Sequence, residues 1–480
     1  MRVHFIAIGG SAMHNLAIAM CKKGYTVTGS DDEIFEPARS RLASYHLLPE
    51  AEGWFPEKLN SQFDAVILGM HARADNPELL RAQKLGLKIF SYPEFLYEQS
   101  KNKKRIVIGG SHGKTTITAM ILHVLNYHHV DTDYMVGAQL EGFDVMVKLS
   151  EDADYMVIEG DEYLTSPIDR RPKFHVYKPD IALISGIAWD HKNVFPTFDN
   201  YVEQFRIFTN LISPGGTLIY CADDPEVKLV AEDCRNNIKK ISYLLPDYTV
   251  KDGITSINYK LRITNYEQPS TINPEKVGTK PSPIVNRQSS IPLKIFGRHN
   301  LLNLNGARLV CNELGITDEM FFQAISSFKG ASKRLELIAK NKSTAIFKDF
   351  AHSPSKLKAT TRAVKEQFTD KTLVACMELH TFSSLSSDFL PQYDGAMNDA
   401  DVAIVYFSPH ALALKKLPPL TVEQVKQAFN RKDLQIFTDS SALKDYLLAL
   451  DWTNKNLLMM SSGNFDGLDL AELSRKIIPD

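Results

Sequence analysis

The stretch Ile106-Val107-Ile108-Gly109-Gly110-Ser111-His112-Gly113-Lys114-Thr115-Thr116, continued by Ile117-Thr118-Ala119-Met120-Ile121-Leu122, decides the fold. A β-branched run stops at two glycines, Gly-Lys-Thr-Thr follows, and an apolar helical pattern starts at once. That is the strand, loop, helix order of a phosphate-binding loop. Gly110 and Gly113 let the backbone turn its N–H groups toward phosphate oxygens, and the helix N-terminus adds partial positive charge. Lys114 supplies a mobile charge for terminal phosphates, and the hydroxyl of Thr115 or Thr116 can ligate magnesium. In the common nucleotide loop a glycine lies five residues before Gly113, where this chain has Ile108. The loop is therefore a shortened Gly-x-x-Gly-Lys-Thr, with ATP as the expected ligand.

Working outward, residues 155–163 (Tyr-Met-Val-Ile-Glu-Gly-Asp-Glu-Tyr) read as a buried strand delivering Glu159, Asp161 and Glu162 at its end. Residues 181–191 read as another, ending in Asp190-His191. If the sheet is parallel, both strand ends face the loop, and carboxylate with imidazole beside ATP is a donor set for a divalent ion. Upstream, residues 3–8, the turn Gly9-Gly10-Ser11, a helix over 12–22 and a strand ending at Asp31 make a βαβ unit. Its turn suits a pyrophosphate, with Asp31 near a ribose. The full Gly-x-Gly-x-x-Gly is missing, because Ala7 and Ala12 occupy the outer positions. A strand over 65–70 leads to His71, at the sheet end where open α/β folds bind ligands.

The run 100–105 (Ser-Lys-Asn-Lys-Lys-Arg) reads as a solvated linker before the loop, and 266–292, with five prolines, as an exposed, mobile insertion. Order resumes at 293–300, followed by a helix over 301–314 and a second linker near 326–330. Beyond it, strands over 344–348, 372–377, 402–406, 435–437 and 456–461 alternate with helices. Their ends carry Asp349-Phe350-Ala351-His352-Ser353-Pro354, Glu378-Leu379-His380 and Ser461-Ser462-Gly463-Asn464.

A chain of 480 residues exceeds what one core usually serves. The formal net charge of -2 gives no electrostatic footprint for nucleic acid or an anionic membrane, which favours small-molecule substrates. Five scattered cysteines lack disulfide or metal spacing, and no run approaches the ~18 apolar residues of a membrane span. The cytoplasm is the expected compartment.

Seven motifs occur together and in order: Gly-Gly-x-x-Met at 9–13, Gly-Ser-His-Gly-Lys-Thr-Thr at 110–116, Glu-Gly-Asp-Glu-Tyr at 159–163, Asp-His at 190–191, Gly-Arg-His-Asn at 297–300, Lys-Arg-Leu-Glu at 333–336 and Asp-Phe-Ala-His-Ser-Pro at 349–354. On these the chain resembles the Mur ligase family, which joins amino acids or peptides to UDP-N-acetylmuramic acid at the expense of ATP. The resemblance implies an α/β fold of three consecutive domains, each a largely parallel sheet with helices. They would be a Rossmann-like UDP-sugar domain (1–103), a P-loop ATPase-type central domain (104–328) and a Rossmann-like C-terminal domain (329–480) for the amine and part of the ATP site.

The resemblance also implies roles. Lys114, Glu159 and His191 would be catalytic, with Gly110, Ser111, His112, Gly113, Thr115 and Thr116 around ATP. Thr115 and Glu159 would hold one magnesium and His191 a second. Asn300 would meet adenine, and Arg334, Asp349 and His352 would reach the nucleotide from the last domain. Gly9, Gly10, Ser11, Ala12 and Met13, with Asp31 and His71, would hold UDP rather than NAD. His380, Ser461 and Asn464 would take the amine. Within the family, residues 159–163, 170–174, 349–352 and 462–467 are most similar to the branch that salvages a murein tripeptide. The branch that adds L-alanine, more often Asp-Glu-Ser where this chain has Asp161-Glu162-Tyr163, is the alternative. A scaffold that binds nucleotide without turnover has no need of Lys114 and two metal positions together. Two departures stand out: Arg206 occupies the place of a carbamoylated lysine found in some members, and Ala12 replaces a glycine of the alanine-adding branch.

Overall fold

The computed structural model describes residues 1–140, 142–143, 145–189, 194–235, 237–263 and 285–478, without the side chains of 260–263 and 285–289. Among the described residues four sheets follow one another along the chain. The first contains β1 (Arg2–Ile6), β2 (Thr26–Ser30), β3 (Ala65–Leu68) and β4 (Ile89–Ser91), all parallel, in the order β2-β1-β3-β4. Strands buried on both faces are read from continuous apolar runs, and β1 and β3 are such runs. Each of their four-residue cores, Val3–Ile6 included, is essentially inaccessible.

The second sheet contains β5 (Lys104–Gly109), β6 (Thr132–Met135), β7 (Val147–Lys148), β8 (Tyr155–Glu159), β9 (Ile181–Ile184), β10 (Thr217–Cys221) and β11 (Lys239–Tyr243), in the order β11-β10-β9-β5-β8-β6-β7. Only the β6/β7 pair is antiparallel. β5 lies between β8 and β9, so the loop after β5 is flanked by the ends of the two strands that the sequence paired with it. The helix Lys114–Tyr127 packs its apolar residues Ile117, Met120, Ile121 and Val124 on one face of this sheet, together with the helix Arg298–Glu313.

A third sheet, β12 (Tyr248–Lys251), β13 (Ile254–Ile263) and β14 (Val285–Leu293), is fully antiparallel and was not expected from the sequence. It corrects part of the reading of 266–292: residues 285–292 form a strand, whereas 264–284 lie outside the described residues. Pro292 is compatible with it because β14 is an edge strand, where a missing N–H costs no ladder bond to a further strand. The fourth sheet contains β15 (Glu336–Lys340), β16 (Ala345–Asp349), β17 (Thr372–Leu379), β18 (Val402–Phe407), β19 (Gln435–Phe437) and β20 (Lys455–Met460). Its order is β15-β16-β20-β17-β18-β19, parallel except for β15.

The reading of 100–105 as solvated surface is also corrected. Arg105 is buried, and its guanidinium donates to the carbonyls of Ser100, Lys101, Lys103 and Lys178 and pairs with Asp180 at 3.2 Å. Lys103 meets the buried Asp133 carboxylate at 2.7 Å. These charges stitch the start of β5 to its neighbours, a use of long cationic side chains that a charge run alone does not reveal. Among the described residues no helix is long and apolar enough to cross a membrane.

Candidate active site

Gly113, at φ +77°, is the N-cap of the helix Lys114–Tyr127, and Gly110 has φ +126°. Both conformations favour glycine, and both positions are also crowded. A Cβ on Gly113 would overlap Asn303 Oδ1 and lie 2.9 Å from its Cγ, while one on Gly110 would lie 3.0 Å from the Ser185 amide. The loop is pinned to the end of β9: Ser111 N–H donates to Gly186 O at 2.9 Å, Ser185 N–H to Gly109 O at 3.1 Å, and Ser185 Oγ to His112 O.

Lys114 Nζ donates to Gly110 O at 2.8 Å and forms an ion pair of 2.6 Å with Glu162. Burial alone would lower its pKa, but Glu162, Asp161 and Glu159 outweigh burial and raise it, so Lys114 is a cation. Thr115 Oγ1 donates to Glu159 Oε1 at 2.8 Å, and Gly137 N–H donates to Glu159 Oε2 at 2.7 Å. A hydroxyl and a carboxylate so placed beside a phosphate loop are the hard oxygen donors that magnesium takes, so these residues fit that ion. Asp161 pairs with Lys173 at 2.6 Å; burial opposes ionisation, yet Lys173 and Lys114 hold it down to about 2. Asp190 and His191 lie outside the described residues. Arg206, at the position of the modified lysine, pairs with Glu203 and Asp233 on the outer side of its helix.

The loop opens into a cavity of about 230 Å³ that the fourth sheet helps to close. Its lining takes Ser111, His112, Gly113, Lys114, Thr115, Thr116 and Glu159 from the second sheet's loop and strand ends, Asn300 from the helix Arg298–Glu313, and Arg334, Asp349 and His352 from the last part of the chain. Every described residue expected around ATP, apart from Gly110 beneath the loop, therefore lines one cavity. Asn300 is buried in the first turn of the helix Arg298–Glu313, its Nδ2 donating to Phe296 O at 2.9 Å. Asp349 ends β16. Burial raises its pKa despite nearby Arg334, and its carboxylate accepts the amides of Leu335 at 2.6 Å and Ala351 at 2.7 Å. His352 donates through Nδ1 to Phe350 O at 2.7 Å, and Arg334 lies 4.7 Å above the Phe350 ring. A hydrogen bond of 3.0 Å between His112 Nε2 and Ser355 Oγ joins the phosphate loop to the helix Pro354–Gln367.

Sequence reasoning missed His299, Asn303, Ser355, Lys356, Ala359 and Thr360 in this lining. His299 was within a quoted motif and is held down to about 4 by desolvation, hence neutral. The others carry no local signal; the fold alone places their helices there.

The amine candidates divide. Glu378, buried at the end of β17, accepts from Ser461 Oγ and from Phe465 N–H at 2.8 Å, and His380 Nδ1 lies 3.5 Å from its other oxygen. Glu378 thus brings His380 and Ser461 together, and Ser461 N–H donates to Asp349 O at 3.0 Å, adjoining the ATP cavity. Asn464 is exposed and its side-chain oxygen accepts from Gly467 N–H at 3.2 Å, so that oxygen is committed to its own turn.

At the first sheet, Gly10 caps the helix Ser11–Lys22, and Gly9 N–H donates to Asp31 Oδ2 at 2.7 Å. Burial and Asp32 raise Asp31 to about 6, against the Gly9 bond. Ser11 and Ala12 are exposed, Met13 is buried beneath the turn, and His71 is exposed at the end of β3, beside β1.

Residues 2–104 match the family model described as Mur ligase family, catalytic domain, and residues 108–311 match the Mur ligase middle domain. A UDP-N-acetylmuramate–L-alanine ligase of Arthrobacter sp. is 30% identical over 409 residues, covering 84% of this chain and 80% of that protein. The chain belongs to the Mur ligase family. Like other Mur ligases it is an ATP-dependent enzyme that forms amide bonds between small-molecule substrates in peptidoglycan biosynthesis. Two solved structures share its fold. A murein peptide ligase of Psychrobacter arcticus superposes with a TM-score of 0.63 at 22% identity, over 100% of this chain and 99% of that one. A UDP-N-acetylmuramate–alanine ligase of Thermotoga maritima gives 0.68 at 18%, over 100% and 98%.

Proposed function

We propose that this Mur ligase joins the tripeptide L-Ala-γ-D-Glu-meso-diaminopimelate to UDP-N-acetylmuramic acid in the cytoplasm, as a step of peptidoglycan recycling. The lactyl carboxylate of the sugar attacks the γ-phosphate of ATP to give an acyl phosphate and ADP. The peptide amine then attacks the acyl carbon, and phosphate leaves as the amide forms. In this reading residues 1–103 hold the UDP-sugar through Gly9 to Met13, Asp31 and His71. Residues 104–328 hold ATP, and 329–480 bring the amine through His380 and Ser461.

The observation that carries the reading is the cavity in which the Lys114 ammonium and the Thr115/Glu159 pair face Arg334, Asp349 and His352. Two cations from distant segments, Lys114 at a helix start and Arg334 in the turn before β15, suit a transferring phosphoryl group, whose charge is spread over its oxygens. Lys114 moves from Glu162 to the phosphates, and Asn300 and Arg334 orient the nucleotide. Closing residues 329–480 over the cavity excludes water from the acyl phosphate. Thr115, Glu159 and His191 would hold magnesium, which neutralises phosphate charge when bound.

Replacing Lys114 by alanine should lower phosphate release dependent on UDP-N-acetylmuramate by ~100-fold or more. Release near wild type would overturn the reading. The tripeptide is favoured by Tyr163, which stands where the alanine-adding branch more often has serine, within the segment that resembles the salvaging branch. A second reading, L-alanine as the amine, is favoured by the 30% identity to the Arthrobacter enzyme. Phosphate release with each amine in turn separates them.

A further inference from the structure

Tyr201 was not singled out by any motif, yet its hydroxyl reaches the phosphate loop from the protein interior. It is fully buried in the helix Phe198–Asn210, where its ring packs edge-on against Phe205 at 5.3 Å and lies 5.4 Å from Phe195. Its hydroxyl lies 2.8 Å from Ser111 Oγ of the phosphate loop and donates to Glu162 Oε1 at 3.0 Å. The other oxygen of Glu162 holds Lys114 at 2.6 Å. Ser111 Oγ in turn accepts Ala188 N–H at 2.8 Å. One continuous chain of hydrogen bonds thus runs from the end of β9 through the loop serine, Tyr201 and Glu162 to the lysine that must reach the phosphates.

We propose that Tyr201 is a positioning residue for nucleotide capture: its hydroxyl stabilises the Glu162 carboxylate when Lys114 leaves it for the phosphates of ATP. The argument follows from burial. The Glu162 side chain is 1% exposed, so its charge depends on donors around it, and the ammonium is the strongest of those described. Binding ATP draws that ammonium away. The Tyr201 hydroxyl stays on the other oxygen, and the Ser111 bond keeps it aimed there in both states. Without the hydroxyl, Glu162 retains Lys114 more tightly and loses more when it departs. Both effects weaken ATP binding.

The inference rests on the reading of this loop as the ATP site. The test is titration calorimetry of ATP against the full-length protein as wild type, Tyr201→Phe, Glu162→Gln and the double variant, with steady-state kinetics alongside. Tyr201→Phe keeps the ring and its packing and removes one hydrogen bond to a charged acceptor, so ATP affinity should fall about tenfold to hundredfold. The KM for ATP should rise in step, while kcat at saturating ATP stays near wild type. In the Glu162→Gln background the same removal should change affinity by less than about twofold, because no charge is left to stabilise. Unchanged affinity in Tyr201→Phe, or an equal loss in both backgrounds, overturns the proposal. If Tyr201→Phe does not fold, Glu162→Gln alone decides: it should bind ATP at least as tightly as wild type, and weaker binding overturns the proposal. Wild type that binds no ATP removes the site reading as well, whereas wild type and Tyr201→Phe binding equally removes only the role of Tyr201.

Discussion

Gly113→Ala is the perturbation whose cost the geometry specifies best. Two penalties apply at this residue. At φ +77° an L side chain meets its own backbone, which costs ~1–2 kcal/mol. The added Cβ also overlaps the side-chain amide of Asn303, which is buried on the helix Arg298–Glu313 and must swing into the cavity that it lines. Overpacking of this kind adds ~1–3 kcal/mol, so the total is ~2–5 kcal/mol. Gly315→Ala is the matched control: its φ is +86°, but nothing lies within 4 Å of the added carbon, so only the first penalty applies. Urea denaturation of both variants measures the difference directly. Gly113→Ala should be the less stable by ~1–3 kcal/mol. It should also lose ATP affinity by about tenfold or more, ~1.4 kcal/mol, as the loop shifts, while Gly315→Ala binds ATP as wild type does. Equal stability losses, or unchanged ATP binding in Gly113→Ala, would refute the reasoning that the loop and Asn303 are fitted to one another.

Three other outcomes are expected. Thr115→Val should raise the magnesium concentration for half-maximal activity and lower kcat/KM by ~100-fold, with Thr115→Ser near wild type; a magnesium titration of all three checks it. Asp31, at about 6 folded against an ordinary 3.8, binds its proton more tightly when folded. Its contribution therefore favours the folded state below about pH 4, declines as pH rises to 6 and is flat above. Urea denaturation across that range should show the slope, and Asp31→Asn should remove it; an unaltered slope would discount the buried carboxylate. Glu378→Gln should raise the KM for the amine by about tenfold, through a misplaced His380 and Ser461, and leave the KM for ATP unchanged. A change confined to ATP would detach this cluster from the amine.

How much could be read in advance depended on how local each feature is. Lys114, Thr115 and the strand end at Glu159 are fixed by short segments whose order alone implies a phosphate loop, and the structure joins Thr115 to Glu159 and Lys114 to the neighbouring Glu162. Asn303, Ser355 and Tyr201 have no such signature. They reach the loop because helices distant in sequence pack on its sheet or across the cavity, and only tertiary contacts carry that information. Charge misled at Arg105, since a basic run reads as solvated unless one knows that four carbonyls converge on it. Proline misled at 285–292, since Pro292 argues against a central strand but not against the edge strand that forms. Asn464 was placed at the amine by family resemblance alone, and the hydrogen bond of its side-chain oxygen to Gly467 N–H is again a contact that no motif announces.

The central claim is that this cavity makes an amide between UDP-N-acetylmuramic acid and a peptide amine. Mass spectrometry of reactions containing the purified protein, ATP, magnesium and UDP-N-acetylmuramate, with either the tripeptide or L-alanine, tests it most directly. The account predicts a UDP-N-acetylmuramoyl-tripeptide with one ADP and one phosphate formed per product, and little product from L-alanine. Robust turnover on L-alanine with the tripeptide inert, or ATP hydrolysis without an amide product from either donor, would contradict it.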